Sequence, residues 1–264
     1  MANVKISKRR IHSTANRFNK FPTEILTEIL AKVASTSAID LVKAKISCNE
    51  FLQAASDDYV FQNLNIESFP VIPWTTTTNG ASNLLENCKK CGNPESLFRQ
   101  GIIKYFSNNL DIDSGLECLK KAATKGHTVA TYVYGIILVC YGGERRNEGL
   151  KLLFESGSNL IVDECREKVR KTINGMWVDN FIVGFGPAQE EEFKRKLENC
   201  NCKNNLPLCS STTRPRKKLS IWELSNDQEF EDDKFSCQAC LWDLEAIRFC
   251  NFLRTKCFTT PFKF

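Results

Sequence analysis

Histidine is nearly absent: His12 and His127 are the only two in 264 residues. Imidazole is the usual group for moving protons near neutral pH, so histidine-based acid–base or nucleophilic chemistry has almost no material here. Also missing are the Gly-x-x-x-x-Gly-Lys phosphate loop, the Gly-x-Gly-x-x-Gly dinucleotide turn and the His-Glu-x-x-His metal helix. Carboxylates are plentiful, but they read as solvated helix faces. The chain is expected not to be an enzyme. The apolar run 129–141 contains Thr131 and falls short of the ~20 residues that a bilayer-spanning helix needs. The opening Met-Ala-Asn-Val-Lys lacks the apolar core of a secretory leader. A soluble protein of the nucleus and/or cytoplasm is expected, with no membrane partner.

Charge is unevenly spread. The chain carries a net +5, yet residues 1–20 hold Lys5, Lys8, Arg9, Arg10, Arg17 and Lys20 with no acid, which leaves the other 244 residues at −1. A near-neutral body argues against a nucleic-acid partner, because phosphate binding relies on a concentrated basic face. The basic leader reads as a solvated tail, with a nuclear address as the alternative.

Cysteine, in contrast, is abundant. There are thirteen, an odd number, and in a reducing compartment they serve as buried fillers, metal ligands or redox groups rather than disulfides. Seven of them (Cys200, Cys202, Cys209, Cys237, Cys240, Cys250, Cys257) fall in the last 65 residues, which sets that end apart.

The N-terminal third reads as short amphipathic helices. Phe21-Pro22-Thr23-Glu24 is a helix start, with proline suited to the first turn and an acid that complements the helix dipole. Ile25, Leu26, Ile29, Leu30 and Val33 follow at three- and four-residue steps. Ser35-Thr36-Ser37 breaks the pattern, a second helix carries Ile39, Leu41, Val42 and Ile46, and a third runs through Phe51 and Leu52. Asp57-Asp58 caps a fourth with Tyr59, Val60, Phe61 and Leu64. So small a bundle cannot bury all of its apolar surface alone.

These residues resemble the F-box motif, with its Leu-Pro-x-Glu opening, acid–Leu pair, Val-Ser-Cys stretch and later aromatic. The matching positions are Phe21-Pro22-Thr23-Glu24, Asp40-Leu41, Ile46-Ser47-Cys48 and Phe51, with Phe21 in place of Leu and Phe51 in place of the commoner Trp. Ala44-Lys45-Ile46-Ser47-Cys48 is especially similar to a plant branch of that family. The resemblance implies docking on a Skp-type adaptor, and through it a cullin, by way of Phe21, Pro22, Ile25, Leu26, Ile29, Leu41 and Val42.

Pro70, Pro73, the threonines 75–78, Asn79-Gly80 and Asn93-Pro94 make 67–95 read as a linker. Its Cys88-x-x-Cys91 is half a zinc site at most and is read as structural thiols. Beyond it, Gly101, Ile102, Ile103, Gly115, Leu116 and Leu119 recur as Gly135, Ile136, Ile137, Gly149, Leu150 and Leu153, each 34 residues on. That is the period of tetratricopeptide-type helical hairpins. The stretch from Ala122-Ala123 through Gly126-His127 to Ala130, Tyr132, Tyr134 and Gly135 resembles the Sel-type variant of this repeat. His127 is then a packing residue between helices. Gly126 suits a left-handed cap, the small residues allow close helix approach, and residues 161–173 are expected to complete the array. Stacked hairpins form a groove able to hold a protein target, with Tyr132 and Tyr134 as lining candidates and Tyr134 preferred.

Further on, residues 188–199 read as a charged helix, and Cys237-x-x-Cys240 opens a helix with Trp242, Leu244, Ile247, Phe249, Phe252 and Leu253. A zinc ion would take Cys202, Cys209, Cys237 and Cys240, or Cys237, Cys240 and Cys250 with an earlier thiol. The layout resembles a MYND-type finger but departs from it in spacing and has no histidine beyond His127. A zinc-free, thiol-rich helical cap is the preferred reading, so no cofactor is expected.

The sequence therefore predicts a mainly α protein: a basic tail at 1–20, an F-box bundle at 21–66, a linker at 67–95, Sel/tetratricopeptide-like repeats at 96–175 and a cysteine-rich region at 176–264. The function implied is that of a substrate-recognition adaptor of a cullin-RING ubiquitin ligase. The alternative is a helical-repeat interaction scaffold with a zinc module, associated with nucleic acid.

Overall fold

The structure, a computed structural model, describes residues 21–69, 79–107, 111–157, 161–176, 178, 182 and 238–257. It divides into two units, residues 1–65 and 66–264. Among the described residues all regular structure is helical.

In the first unit, α1 (Thr23–Thr36) starts behind Pro22 and carries Glu24 in its first turn. Proline has no N–H to lose at a helix mouth, and the carboxylate complements the dipole. Leu26, Leu30 and Ala34 lie one turn apart and are buried together with Ala31. Ser37 is extended: its N–H still bonds the carbonyl of Val33, while its Oγ accepts from the Asp40 N–H at 3.2 Å. One residue thus closes α1 and caps α2 (Ala38–Lys45). After α3 (Asn49–Ala54), Asp57 caps α4 (Asp58–Asn63) by accepting from the Tyr59 N–H at 2.8 Å. The Asn65 N–H bonds the Ala34 carbonyl at 2.9 Å and ties the end of the unit back to α1. Leu41, Ala54, Ala55, Val60 and Leu64 fill the small core.

The second unit is built on the 34-residue period. Its helices are α5 (Asn79–Lys90), α6 (Pro94–Phe106), α7 (Ile112–Thr124), α8 (Thr128–Tyr141), α9 (Gly143–Glu155), α10 (Val162–Asn174) and α11 (Gln238–Cys257). Helices α6, α8 and α10 occupy equivalent places in the period, as do α5 and α7, with α9 shifted by three residues.

The turns repeat atom for atom. The Gly126 and His127 N–H groups bond the carbonyls of Ala123 and Ala122 at 2.9 and 3.1 Å, and those of Gly92 and Asn93 bond Lys89 and Cys88 at 3.2 and 2.9 Å. Both are two-bond glycine caps, with φ of +83° at Gly126 and +71° at Gly92. The next residue then caps the following helix: Asn93 Oδ1 accepts from Ser96 N–H, and His127 Nδ1 accepts from Ala130 N–H. His127 is therefore a cap as well as a packing residue.

The helix contacts repeat too. A Cβ on Gly101 would lie 2.7 Å from the Leu119 side chain, and one on Gly135 2.6 Å from Leu153. On the facing helices, a Cβ on Gly115 or Gly149 would come within 2.6 Å of backbone atoms of Tyr105 or Gly135. Glycine is required here by sheer proximity of two backbones.

One expectation changes. Residues 79–90 form a helix and not a linker: Ala81, Gly115 and Gly149 share one register position, and Leu85, Leu119 and Leu153 another, so α5 is the outer helix of an earlier hairpin. The start of the supposed linker is also anchored, since Arg99 donates to the carbonyls of Ile66 and Phe69 at 2.7 and 3.2 Å. Residues 162–174 form the third inner helix, as the period requires. The tail 1–20 and the expected helix at 188–199 lie outside the described residues.

Candidate functional site

Two surfaces carry the functional argument. The first is on the first unit, where Phe21, Ile25, Ile29, Ile39, Val42, Ile46, Leu52 and Tyr59 are exposed. Ile46 is 81% and Ile39 68% exposed, far beyond what a lone surface isoleucine requires. Phe21, Ile25 and Ile29 stand one turn apart, so they share one face of the chain entering and forming α1. Ile39, Val42 and Ile46 do the same along α2 and its end. Pro22 is exposed beside them. Large exposed apolar sets of this kind mark protein-interaction surfaces.

Leu26 and Leu41 are corrections to the docking set read from the sequence. Leu26 is 5% and Leu41 0% exposed, so both belong to the unit's own core and hold the exposed residues in place. The sequence presents one broad apolar stripe on α1. The fold uses one edge of it inside and leaves the other outside.

The second surface is the face that α6, α8 and α10 turn away from the outer helices. It is covered by α11. The Phe249 ring meets Phe106 of α6 edge-on at 6.0 Å, and Cys250 Sγ lies 3.5 Å from Cys140 Sγ of α8. Glu245 accepts from the Tyr132 hydroxyl and from Arg166 of α10, whose Nε is 2.7 Å away. Asp243 takes both arms of Arg146 of α9, at 2.8 and 2.5 Å. Burial alone would lower the Arg166 pKa, but the Glu245 carboxylate outweighs it and holds the guanidinium firmly charged. Burial, and then Glu245, push the Tyr132 hydroxyl well above its usual range.

Tyr134 is the other correction. It is buried, with Glu148 and Arg145 of α9 and Glu117 of α7 as the nearby charges, so it faces the outer helices and not the inner face. Tyr132 is on the inner face, and α11 covers it.

A further polar cluster ties the inner helices together at one end. Glu95 on α6 accepts from His127 Nε2 at 2.7 Å, Lys168 Nζ of α10 at 2.8 Å and Arg99 Nε at 2.8 Å. Since His127 Nδ1 accepts from Ala130, Nε2 is the donor to Glu95. The His127 ring stacks on Phe98 at 4.8 Å. Burial would raise the Glu95 pKa, yet His127, Lys168 and Arg99 together hold it down to about 2. With donors from three helix positions converging on one carboxylate, and Lys168 and Arg99 also held by Glu67 and by the carbonyls of Ile66 and Phe69, the cluster is a brace between helices.

Among the described residues no three histidine, cysteine or acidic side chains gather as a metal site. Cys88 is buried, which pushes its thiol up to about 12, in keeping with a structural role. Of the zinc candidates, Cys240 is buried in the apolar core with α11, while Cys202, Cys209 and Cys237 lie outside the described residues.

Comparison with known proteins gives two results. The family model of plant tetratrico peptide repeats matches residues 66–174, the span from Ile66 through α10. Two Arabidopsis thaliana proteins, both named F-box proteins, are similar to this chain. One is 29% identical over 232 residues, covering 85% of this chain and 73% of its own length. The other is 33% identical over 135 residues, covering 51% of this chain and 79% of its own length. No solved structure matches.

Proposed function

Because the chain belongs to the plant F-box proteins with helical repeats, we propose that it is the substrate-recognition subunit of a cullin-RING ubiquitin ligase. The first unit docks a Skp-type adaptor, and through it a cullin, while the second selects a protein target. Ubiquitin transfer is left to other subunits, so this chain is no enzyme and needs no cofactor. Assembly takes place in the nucleus and/or cytoplasm.

The observation that carries this reading is the apolar face of the first unit. Phe21, Pro22, Ile25, Ile29 and Val42 form the proposed contact, with Ile39 and Ile46 extending it. A shape-matched adaptor groove that removes these side chains from water gains roughly 25 cal/mol per Å² of apolar area. The second unit offers no comparable face, since Ile161 is its one large exposed apolar residue among those described.

The experiment is capture of a purified Skp-type adaptor by the full chain. Ile25→Glu combined with Ile29→Glu puts two carboxylates into the contact and is expected to weaken capture at least ~100-fold. Wild-type capture by the double variant would overturn the assignment.

A further inference from the structure

The inner face of the repeats is filled by a helix that lies outside the repeat match. The match ends at residue 174, and α11 begins at Gln238. Its contacts follow a helix-in-groove pattern. Trp242, Ala246, Phe249 and Leu253 recur at four-, three- and four-residue steps and all join the core cluster of the second unit. Residues two apart on a helix point to nearly opposite sides. Asp243 and Glu245 accordingly straddle α8, one reaching Arg146 of α9 and the other Arg166 of α10.

The two arginines make the groove selective. Arg166 is 1% exposed and has Glu245 against its fork, so an occupant without a carboxylate there would leave the buried guanidinium with only the half-exposed Asp163, at 3.2 Å, as its acid. The second arginine, a quarter exposed, favours a second acid two residues earlier, and Phe106 favours an aromatic four residues after the first. These preferences describe an occupant, and α11 is one that meets them.

On the reading that the repeats choose the target, we propose that α11 is an internal stand-in for it. The groove recognises an amphipathic helix of pattern aromatic–acid–x–acid–small–x–x–aromatic, and a target carrying that pattern binds by displacing α11. Free and target-bound states then compete for Arg166, Arg146 and Tyr132.

The test uses the full chain and a fluorescent synthetic peptide of residues 238–257, kept reduced. Glu245→Arg places like charges at the groove and releases the internal helix, so this variant is expected to bind the peptide at least tenfold more tightly than wild type. Adding Arg166→Glu to it should remove that gain. A folded Glu245→Arg chain that binds no more tightly than wild type overturns the proposal. If circular dichroism shows that this variant has not folded, hydrogen exchange of the wild type decides. Opening of α11 while α8 stays protected supports the proposal, and exchange of both helices in one step overturns it. Adaptor capture by the same chains separates the readings. Loss of the peptide with the adaptor retained removes only this inference, and loss of the adaptor with the peptide retained removes only the docking assignment.

Discussion

Eight of the nine large apolar side chains that stand exposed among the described residues belong to the first unit, whereas nine of the ten buried polar or charged ones belong to the second. The first unit is also the shorter, so its excess of exposed apolar surface is not a matter of size. A bundle of short helices has too little interior for its apolar residues and presents the remainder as a contact surface. The repeat unit has ample interior, and its helices could slide past one another on apolar contacts alone. Glu95, Arg99, Arg166 and Glu245 fix the alignment, because a buried charge tolerates few arrangements of its partners. On the proposed function, one unit is completed by another protein, whereas the inner face of the other is covered by its own chain.

That contrast breaks first at Glu95. Glu95→Ala takes the acceptor from His127 Nε2 and leaves Lys168 only Glu67 and Arg99 only the carbonyls of Ile66 and Phe69, and loss of one partner in a buried charge cluster costs ~3–5 kcal/mol. Urea denaturation of the full chain at pH 7 reads this directly. The cost is pH-dependent. Glu95 is held down to about 2 in the folded chain, against an ordinary 4.5. Its contribution is therefore complete above about pH 4.5 and disappears as the pH falls towards 2. Wild-type and Glu95→Ala stabilities should converge over that window. A gap that stays constant down to pH 2.5 would show that Glu95 acts by packing and not by charge.

The glycines come next. Gly115→Ala and Gly149→Ala put a Cβ within 2.6 Å of the facing helix, which forces the backbones apart and costs ~1–3 kcal/mol despite the better helix propensity of alanine. Gly126→Ala meets no neighbour within 4 Å but sits at φ +83°, so it pays only the left-handed penalty, ~1–2 kcal/mol. Melting temperatures should rank accordingly, with the contact glycines at least as damaging as the turn glycine. The reverse order would mean that the hairpins pack more loosely than the structure shows.

Much of this architecture is legible in the sequence, and the exceptions have physical causes. Local signals predict α1 to α4 well, since Pro22, Ser37 and Asp57 each act on their own neighbours. The 34-residue period likewise carries α6 to α10. Helix α5 is hidden by the threonines and prolines before it, although Leu85 sits on the same period as Leu119 and Leu153. Helix α11 is legible from its apolar spacing, but the face it covers is not, because Arg166 and Glu245 are 79 residues apart and no local pattern pairs them. Tyr132 and Tyr134 show the remaining limit. Two positions apart on one helix, they point to different faces, and only tertiary packing says which face meets α11.

The smallest effect on stability is expected where the effect on assembly is greatest. Ile46 is 81% exposed and Ile25 and Ile29 about half, so replacing each with serine removes little buried contact. Surface changes of this kind usually stay within ±0.5 kcal/mol. Helix propensity adds only a few tenths, because serine and isoleucine rank together. The triple variant should therefore melt within a few degrees of wild type while losing the Skp-type adaptor. Leu30→Ala makes the opposite case: it empties a site that is 1% exposed and should cost ~2–5 kcal/mol by leaving a cavity. A triple variant that unfolds like Leu30→Ala would mean that the apolar face is already covered within the chain, and the first unit would no longer stand apart from the second.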